Sequence, residues 1–455
     1  MATNDKSRHG YHDLRRQELL NLIPTSAKQI LDCGCGTGEL GKAIKKRQKC
    51  HITGIELNKE AFRLAEQNLD LAFCDNLNRH DPALHNQRYD CIIFGDILEH
   101  LISPWWVLIR FQKVLADGGT IVASIPNVAH SKVINQLQRG IFRYEAAGLL
   151  DITHLRFFTK TTIFQLFYKA GLKVVDCTPY PSDENPLQYL ISATKPTLRH
   201  VKPLVSIIIL SYNTWRFTKA CINAIKERTT VPYKIIVVDN GSSDETVRNL
   251  RADTDIFHIE NTCNHGFSRG LNIGLELVDT PYFVISNSDI VVSPGWLSTL
   301  KKHIDTDDNL MLIGPVSNYV SGPQQVETDG YTNDESMLKF ARYRRECFDK
   351  PLVYHFSIVF FCALLKSIVL NKIGYLDENF EKSNYEDDDY CLRIHHAGLQ
   401  AAFDPSVFVH HWGRATFKEN KIDWNDEMKT NKDKFLKKYK ITSYGPSTGI
   451  PKKPV

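Results

Sequence analysis

Two stretches of this 455-residue chain open on short, unbroken apolar runs, Gln29-Ile-Leu-Asp32 and Val205-Ser-Ile-Ile-Ile-Leu210. Each run begins a series. The first continues through HITGIEL, YDCIIFGD and GTIVASIP, the second through KIIVVDN, IFHIEN and YFVISNSD, with longer helical patterns between them. A strand with one wet face alternates polar and apolar residues; runs that do not alternate are covered on both faces, as in a parallel sheet flanked by crossover helices. Two such series predict two α/β, Rossmann-like domains.

The expected domains are residues 1–196 and 203–440, joined by a linker over Lys195–Pro203 that carries two prolines. Leu187–Ala193 reads as the last, edge strand of the first domain, and 441–455 as a disordered tail. A hydrophobic fraction of 42% and a charged fraction of 24% suit a globular chain with full cores. The formal charge of +4 calls for no nucleic-acid partner. No run approaches the roughly 18 apolar residues of a spanning helix, and the N-terminus lacks the apolar segment of a secretory signal. The 11 scattered cysteines point to a reducing cytosol without structural disulfides. Lys434, Lys437, Lys438 and Lys440 either meet anionic lipid at the inner face of a membrane or form a solvated basic helix face.

In the first half, the strand runs into Asp32-Cys-Gly34-Cys-Gly36-Thr-Gly38. Alternate glycines let the backbone turn tightly and approach a ligand. The next strand ends at Glu56, where a carboxylate can accept the two ribose hydroxyls of an adenosine. The spacing lacks the phosphate cradle of a dinucleotide site. With the segments YDCIIFGDILEHL, LADGGTIVASIPN and DITHLRFFT, residues 10–195 resemble the class I S-adenosylmethionine-dependent methyltransferases. That resemblance implies that Gly34, Gly36 and Gly38 line the methionine part of the cofactor and that Glu56 binds the ribose. It also implies that Asp75 sits near the adenine amine and that Asp96 borders the methyl-transfer site. His100 and His154 are candidate bases for a sugar hydroxyl, each with a structural role as the alternative. Tyr11 and Arg15 either close over the cofactor or lie on a solvated helix face.

In the second half, the first strand runs into Ser211-Tyr-Asn213 and the next ends at Asp239, placed to read a base edge; Ser243 and Asp244 are expected to cap the following helix. NHGFSRGLNIGL brings Arg269 and Asn272 with three glycines, a setting for a diphosphate. Asp289, after YFVISNSD, is placed to hold a divalent cation. The run Glu386-Asp387-Asp388-Asp389 suits a helix start, and its apolar flanks point to at least one buried, functional carboxylate. His410 and His411 follow a strand as possible metal ligands. In order, these motifs resemble the inverting family-2 glycosyltransferases of GT-A fold over residues 203–415. The resemblance implies a nucleotide-sugar donor, a saccharide or lipid-linked glycan acceptor, Mn²⁺ or Mg²⁺ on Asp289, and Asp387 as the catalytic base. One position departs from it: Asn287 stands where the metal motif often has a first aspartate, which removes one charged ligand. The segment from Val316 to Tyr354 reads as an acceptor-side loop and helix. A bifunctional enzyme of glycan assembly is the leading reading. The alternatives keep one domain catalytic and the other as a recruiting module, or make the second domain a nucleotidyltransferase, which leaves the acidic run unexplained.

Overall fold

The computed structural model describes residues 16–444 except 201, 329, 348–350, 381–383, 414 and 421–423. Tyr11, Arg15 and residues 445–455 lie outside the described residues. The chain divides into two compact units, 1–197 and 198–455.

The first unit holds β1 (Gln29–Cys33), β2 (His51–Glu56), β3 (Leu71–Cys74), β4 (Tyr89–Gly95), β5 (Leu115–Pro126), β6 (Lys173–Tyr180) and β7 (Gln188–Thr194). They form one sheet in the order β3-β2-β1-β4-β5-β7-β6. The pairs from β3 to β5 are parallel, and β7 runs antiparallel to both β5 and β6. The strand expected at the edge is therefore internal. Leu190, Ile191 and Ala193 of β7 are buried between β5 and β6, and β6 is the edge. Strands β1, β2 and β4 are buried almost throughout, as unbroken apolar runs require.

The second unit holds β8 (Val205–Ser211), β9 (Tyr233–Asp239), β10 (Phe257–Glu260), β11 (Tyr282–Asn287), β12 (Ile290–Val292), β13 (Leu310–Val316), β14 (Val353–Tyr354), β15 (Cys362–Lys366) and β16 (Gln400–His411). Their order is β10-β9-β8-β11-β15-β13-β16-β12, with β14 added on β16. The first four are parallel; β15 is antiparallel to β11 and β13, and β12 is antiparallel to β16. Every residue of β9 is buried.

The helix over Trp296–Thr306 packs Trp296, Leu297 and Leu300 into the core with Ile207, Val237 and Val409. Trp296 also donates its indole N–H to Thr229 Oγ1 at 3.0 Å, so its polar edge is satisfied where its ring is dry. The expected cap of the helix over Thr246–Ala252 is displaced. Asp244 accepts from Thr246 N and also from Trp215 N at the start of the helix over Trp215–Arg228, so one carboxylate serves two turns. Ile441 and Tyr444, expected in the tail, pack against a core cluster, the Tyr444 ring lying 4.6 Å from that of Phe435.

Among the described residues no helix is long and apolar enough to cross a membrane. Of the lysines near the C-terminus, Lys438 pairs with Asp377 at 2.7 Å and with Asp389, and Lys434 donates to the carbonyl of Asn379. Those two side chains are engaged within the unit.

Trp296→Ala should destabilise the second unit by about 3–5 kcal/mol, the usual cost of emptying a large aromatic site. Urea denaturation followed by circular dichroism measures it.

Candidate active sites

In the first unit, β1 ends in three glycines at positive φ: Gly34 at 75°, Gly36 at 55° and Gly38 at 81°. A Cβ on Gly34 would meet Ile97 Cδ1 at 2.1 Å, so both conformation and space demand glycine there. Gly36 N–H donates to Glu56 Oε2 at 2.8 Å, and Asn58 N–H to Glu56 Oε1 at 2.7 Å. The main chain thus holds the carboxylate across the ends of β1 and β2, and each oxygen keeps a lone pair for a ligand hydroxyl. A cavity of about 210 Å³ opens here, lined by Asp32, Gly34, Gly36, Glu56, Asp75 and His100 among others.

Asp32 is 3% exposed. Burial pushes its carboxyl up to about 7, against the pull of Arg16 and with a further push from Glu56. Asp75, also in the lining, pairs with His80 at 2.7 Å, which holds its carboxyl below the usual range. Three expected residues are not in the lining. Gly38 starts the helix over Glu39–Arg47 and packs on Asn68 and Leu69. Asp96 is held between Arg16 (2.9 Å) and the Ser124 hydroxyl (2.5 Å). His154 stands behind His100, ring centroids 4.8 Å apart. Arg16 and Glu99 were not among the expected residues. Glu99 immediately precedes His100, and its neighbourhood was the available signal.

In the second unit a cavity of about 740 Å³ lies over the carboxyl ends of β8 and β11. Asn287, Asp289 and His411 share one wall. The antiparallel β12–β16 ladder pairs Ile290 with His411, which brings His411 Nε2 to 3.2 Å from Asp289 Oδ1 and 3.4 Å from Asn287 Nδ2. His411 Nδ1 donates to the carbonyl of Tyr319 at 2.7 Å. In the neutral ring, that bond leaves the Nε2 lone pair facing a carboxylate, an arrangement a shared cation resolves. Asn287 Oδ1 is buried without a partner among the described residues. Burial alone would raise the Asp289 carboxyl, but His411 with both ring nitrogens protonated, and the N–H of Ala415, bring it below the usual range. The donor set therefore fits a divalent cation, with Asn287 as a neutral third oxygen.

His410 takes no part. Successive residues of a strand face opposite ways, and His410 Nδ1 is bonded to the Tyr331 hydroxyl at 2.6 Å. Burial lowers its imidazole to about 4.

The start of the helix over Glu386–His396 lines the same cavity. The chain enters it through two left-handed residues, Asn384 (φ 79°) and Tyr385 (φ 71°). The four acids then separate by role. Asp389 is neutralised by Arg393, Lys438 and the Tyr439 hydroxyl. Asp388 accepts from Ser357 (2.5 Å) and Tyr444 (3.1 Å). Glu386 is 4% exposed with Oε2 unpartnered among the described residues. Asp387 is partly exposed and lines the cavity. Burial and the adjacent Asp388 carboxylate push its carboxyl up to about 7, with N–H groups of Asp388 and Phe360 opposing.

Several expected nucleotide-sugar contacts are occupied elsewhere. Ser211 is fully buried and bonded to Thr218. Asn272 ties down the neighbouring loop through both main-chain groups of Leu376. Arg269 is exposed and paired with Glu378. Asn213 accepts from Ser243 N and donates to Asn420, shaping the loop next to Tyr212, which is in the lining. Asp239 is buried below the lining, where Oδ2 accepts from Ser242 N. Tyr319 and Gln325, from the segment expected on the acceptor side, also line the cavity, as do His355 and Phe356, which were not expected.

Comparison with known proteins agrees with the two folds. Residues 7–176 match the family described as a methyltransferase domain, and residues 206–370 match glycosyl transferase family 2. The chain carries an N-terminal methyltransferase domain and a C-terminal family-2 glycosyltransferase domain. An uncharacterized glycosyltransferase of Haemophilus influenzae is 32% identical over 116 residues, 25% of this chain and 36% of that protein. A ubiquinone biosynthesis O-methyltransferase of Albidiferax ferrireducens is 26% identical over 205 residues, 41% of this chain and 80% of that protein. A solved mannosyltransferase of Pyrobaculum calidifontis, in complex with GDP-Man and Mn²⁺, is similar at 18% identity, with a TM-score of 0.36 over 48% of this chain and 60% of that one.

Two predictions follow from these walls. Gly34→Ala should cost about 1–2 kcal/mol for the left-handed backbone alone, and the Ile97 clash should weaken S-adenosylhomocysteine binding further; calorimetric titration reads both. Asp387 carries a folded-state carboxyl raised above its ordinary value, so the fold favours its protonated form and stability falls as pH rises through about 7. Asp387→Asn should therefore melt higher than wild type at pH 8 and nearly level with it below pH 4, by thermal denaturation.

Proposed function

We propose that this chain adds a sugar to a growing glycan and methylates a sugar hydroxyl. The second domain, over 203–440, transfers the sugar with inversion from a nucleotide-sugar donor to a saccharide or lipid-linked acceptor. The observation that carries this reading is one cavity lined both by the Asn287, Asp289 and His411 donor set and by the raised Asp387 carboxyl. Asp289 and His411 would hold Mn²⁺ or Mg²⁺, which when bound supplies positive charge to the departing diphosphate. Asp387 takes the proton of the acceptor hydroxyl; a carboxyl near 7 is matched to that task at neutral pH. Burial and the charge of the adjacent Asp388 keep it high. The loop from Tyr319 to Gln325 supplies the acceptor side of the cavity.

The first domain, over 1–196, holds S-adenosylmethionine, the cofactor that a methyltransferase fold implies. Glu56 grips the ribose and the Gly34–Gly36 turn admits the methionine part. Methyl transfer is an in-line displacement in which the protein supplies alignment. His100 stands at the acceptor end, with Glu99 and His154 behind it. Linking the two sites in one chain keeps the product of one at high effective concentration near the other.

The test is release of nucleoside diphosphate from a panel of nucleotide sugars with Mn²⁺. One donor should be consumed, with the rate rising with pH through about 7 as Asp387 loses its proton. Asp387→Asn should lose about 10²–10⁴-fold, the span of a general base. Silence with every donor, and no nucleotide binding, would overturn the glycosyl-transfer reading.

A further inference from the structure

Two motifs of the first unit, LEH at 98–100 and DITH at 151–154, meet in a way that cofactor binding leaves unexplained. Ligand atoms of Glu99, His100 and His154 all lie within 4.8 Å of one another. Glu99 is 1% exposed, and neither of its carboxylate oxygens has a hydrogen-bond partner among the described residues. The backbone that presents it is fixed: the Glu99 carbonyl accepts from Leu155 N at 2.8 Å and Arg156 N at 3.0 Å, which locks the two motifs together.

Both imidazoles are held in one orientation by acceptors. His154 Nδ1 lies 3.2 Å from the Leu149 carbonyl. His100 Nδ1 lies 3.2 Å from the Thr153 carbonyl and 3.1 Å from its hydroxyl oxygen. The Thr153 hydroxyl gives its own proton to Asp151 at 2.6 Å, so it can only accept from His100. Carbonyls accept, so Nδ1 carries the proton on each neutral ring and Nε2 keeps its lone pair. With each Nδ1 engaged, Nε2 is the nitrogen left for an ion on both rings, in a cluster where Glu99 and His154 are buried, His100 is half-buried and the carboxylate has no donor among the described residues. Histidines that bind metals are oriented in this manner, with the second nitrogen donating to a carbonyl or, through a relay, to a carboxylate. Such a set suits a transition-metal dication of the zinc kind, three protein ligands with a position left open.

We propose that Glu99, His100 and His154 form a metal site of the methyltransferase domain, binding Zn²⁺ or a similar dication at the acceptor end of the cofactor cavity. His100 lines that cavity, which supplies an entry path and turns the open position toward the acceptor. An oxygen-rich acceptor would be oriented on the ion, beside the methyl group. The site deepens the methyl-transfer reading and rests on it for the placing of the acceptor. The Asp151–Thr153 pair acts as a positioning relay for His100.

The experiment uses the full chain carrying Asp289→Asn, which disables the other candidate metal site, stripped with chelator and titrated with Co²⁺ and Zn²⁺. One ion per chain is expected, with visible Co²⁺ absorption. Glu99→Gln should abolish it. Thr153→Val, an exposed and mild change, should weaken binding about 10–100-fold through loss of orientation. S-adenosylhomocysteine titration of each variant reports whether the fold and cofactor cavity persist. Absence of a bound ion in the Asp289→Asn protein, unchanged binding in Glu99→Gln, or undiminished methyl transfer by metal-free protein would overturn the site. Loss of S-adenosylhomocysteine binding by the unmutated chain would instead overturn the methyl-transfer reading on which it rests.

Discussion

A parallel sheet covered on both faces leaves one place for polar chemistry, the carboxyl edge of its strands. Both domains are built under that constraint. Strands such as β4 and β9 are buried along nearly their whole length, so a charged group within them would meet no water. The candidate site carboxylates accordingly stand where strands end: Asp32 and Glu56 close β1 and β2, and Asp289 follows β11. The buried frame supplies rigidity, and the edge supplies donors and acceptors at fixed spacing.

Placing acids at a half-dry edge alters them. Asp32 and Asp387 are both raised to about 7, chiefly by burial. Their surroundings divide the consequences. Asp32 lies under the glycine turn with Glu56 nearby and Arg16 pulling against it. Asp387 looks into an open cavity, with its neighbours in the acidic run tied off by Ser357, Tyr444, Arg393 and Lys438. An acid held near neutrality and facing open space suits proton transfer. The same burial costs stability at alkaline pH, a usual tension between a site and its fold.

Much of this was legible in the sequence. The strand series stands out because covered strands cannot alternate, and the Gly34–Gly36 turn and Glu56 follow from the connection between β1 and β2. What stayed hidden depends on distant partners. Nothing local shows that β7 slips between β5 and β6, or that Tyr444 returns to Asp388 across 56 positions. Asn272 and Ser211 looked like ligand contacts because polar residues next to glycines or strand ends usually are; their bonds to Leu376 and Thr218 appear only in three dimensions. The choice between His410 and His411 was open to reasoning, since adjacent strand residues face apart, but it needed β16 to continue through both. The acidic run pointed to Asp387, but the groups that tie off Asp388 and Asp389, among them Ser357, Tyr444 and Lys438, are remote in the sequence.

On the proposed function, one polypeptide carries two separate, intact ligand sites. The direct measurement is calorimetric titration of the purified chain, first with S-adenosylhomocysteine and then with nucleoside diphosphates in the presence of Mn²⁺. One equivalent of each should bind, the first unaffected by Asp289→Asn and the second weakened by it. Failure of either ligand to bind the intact chain, or loss of both through that single substitution, would contradict it.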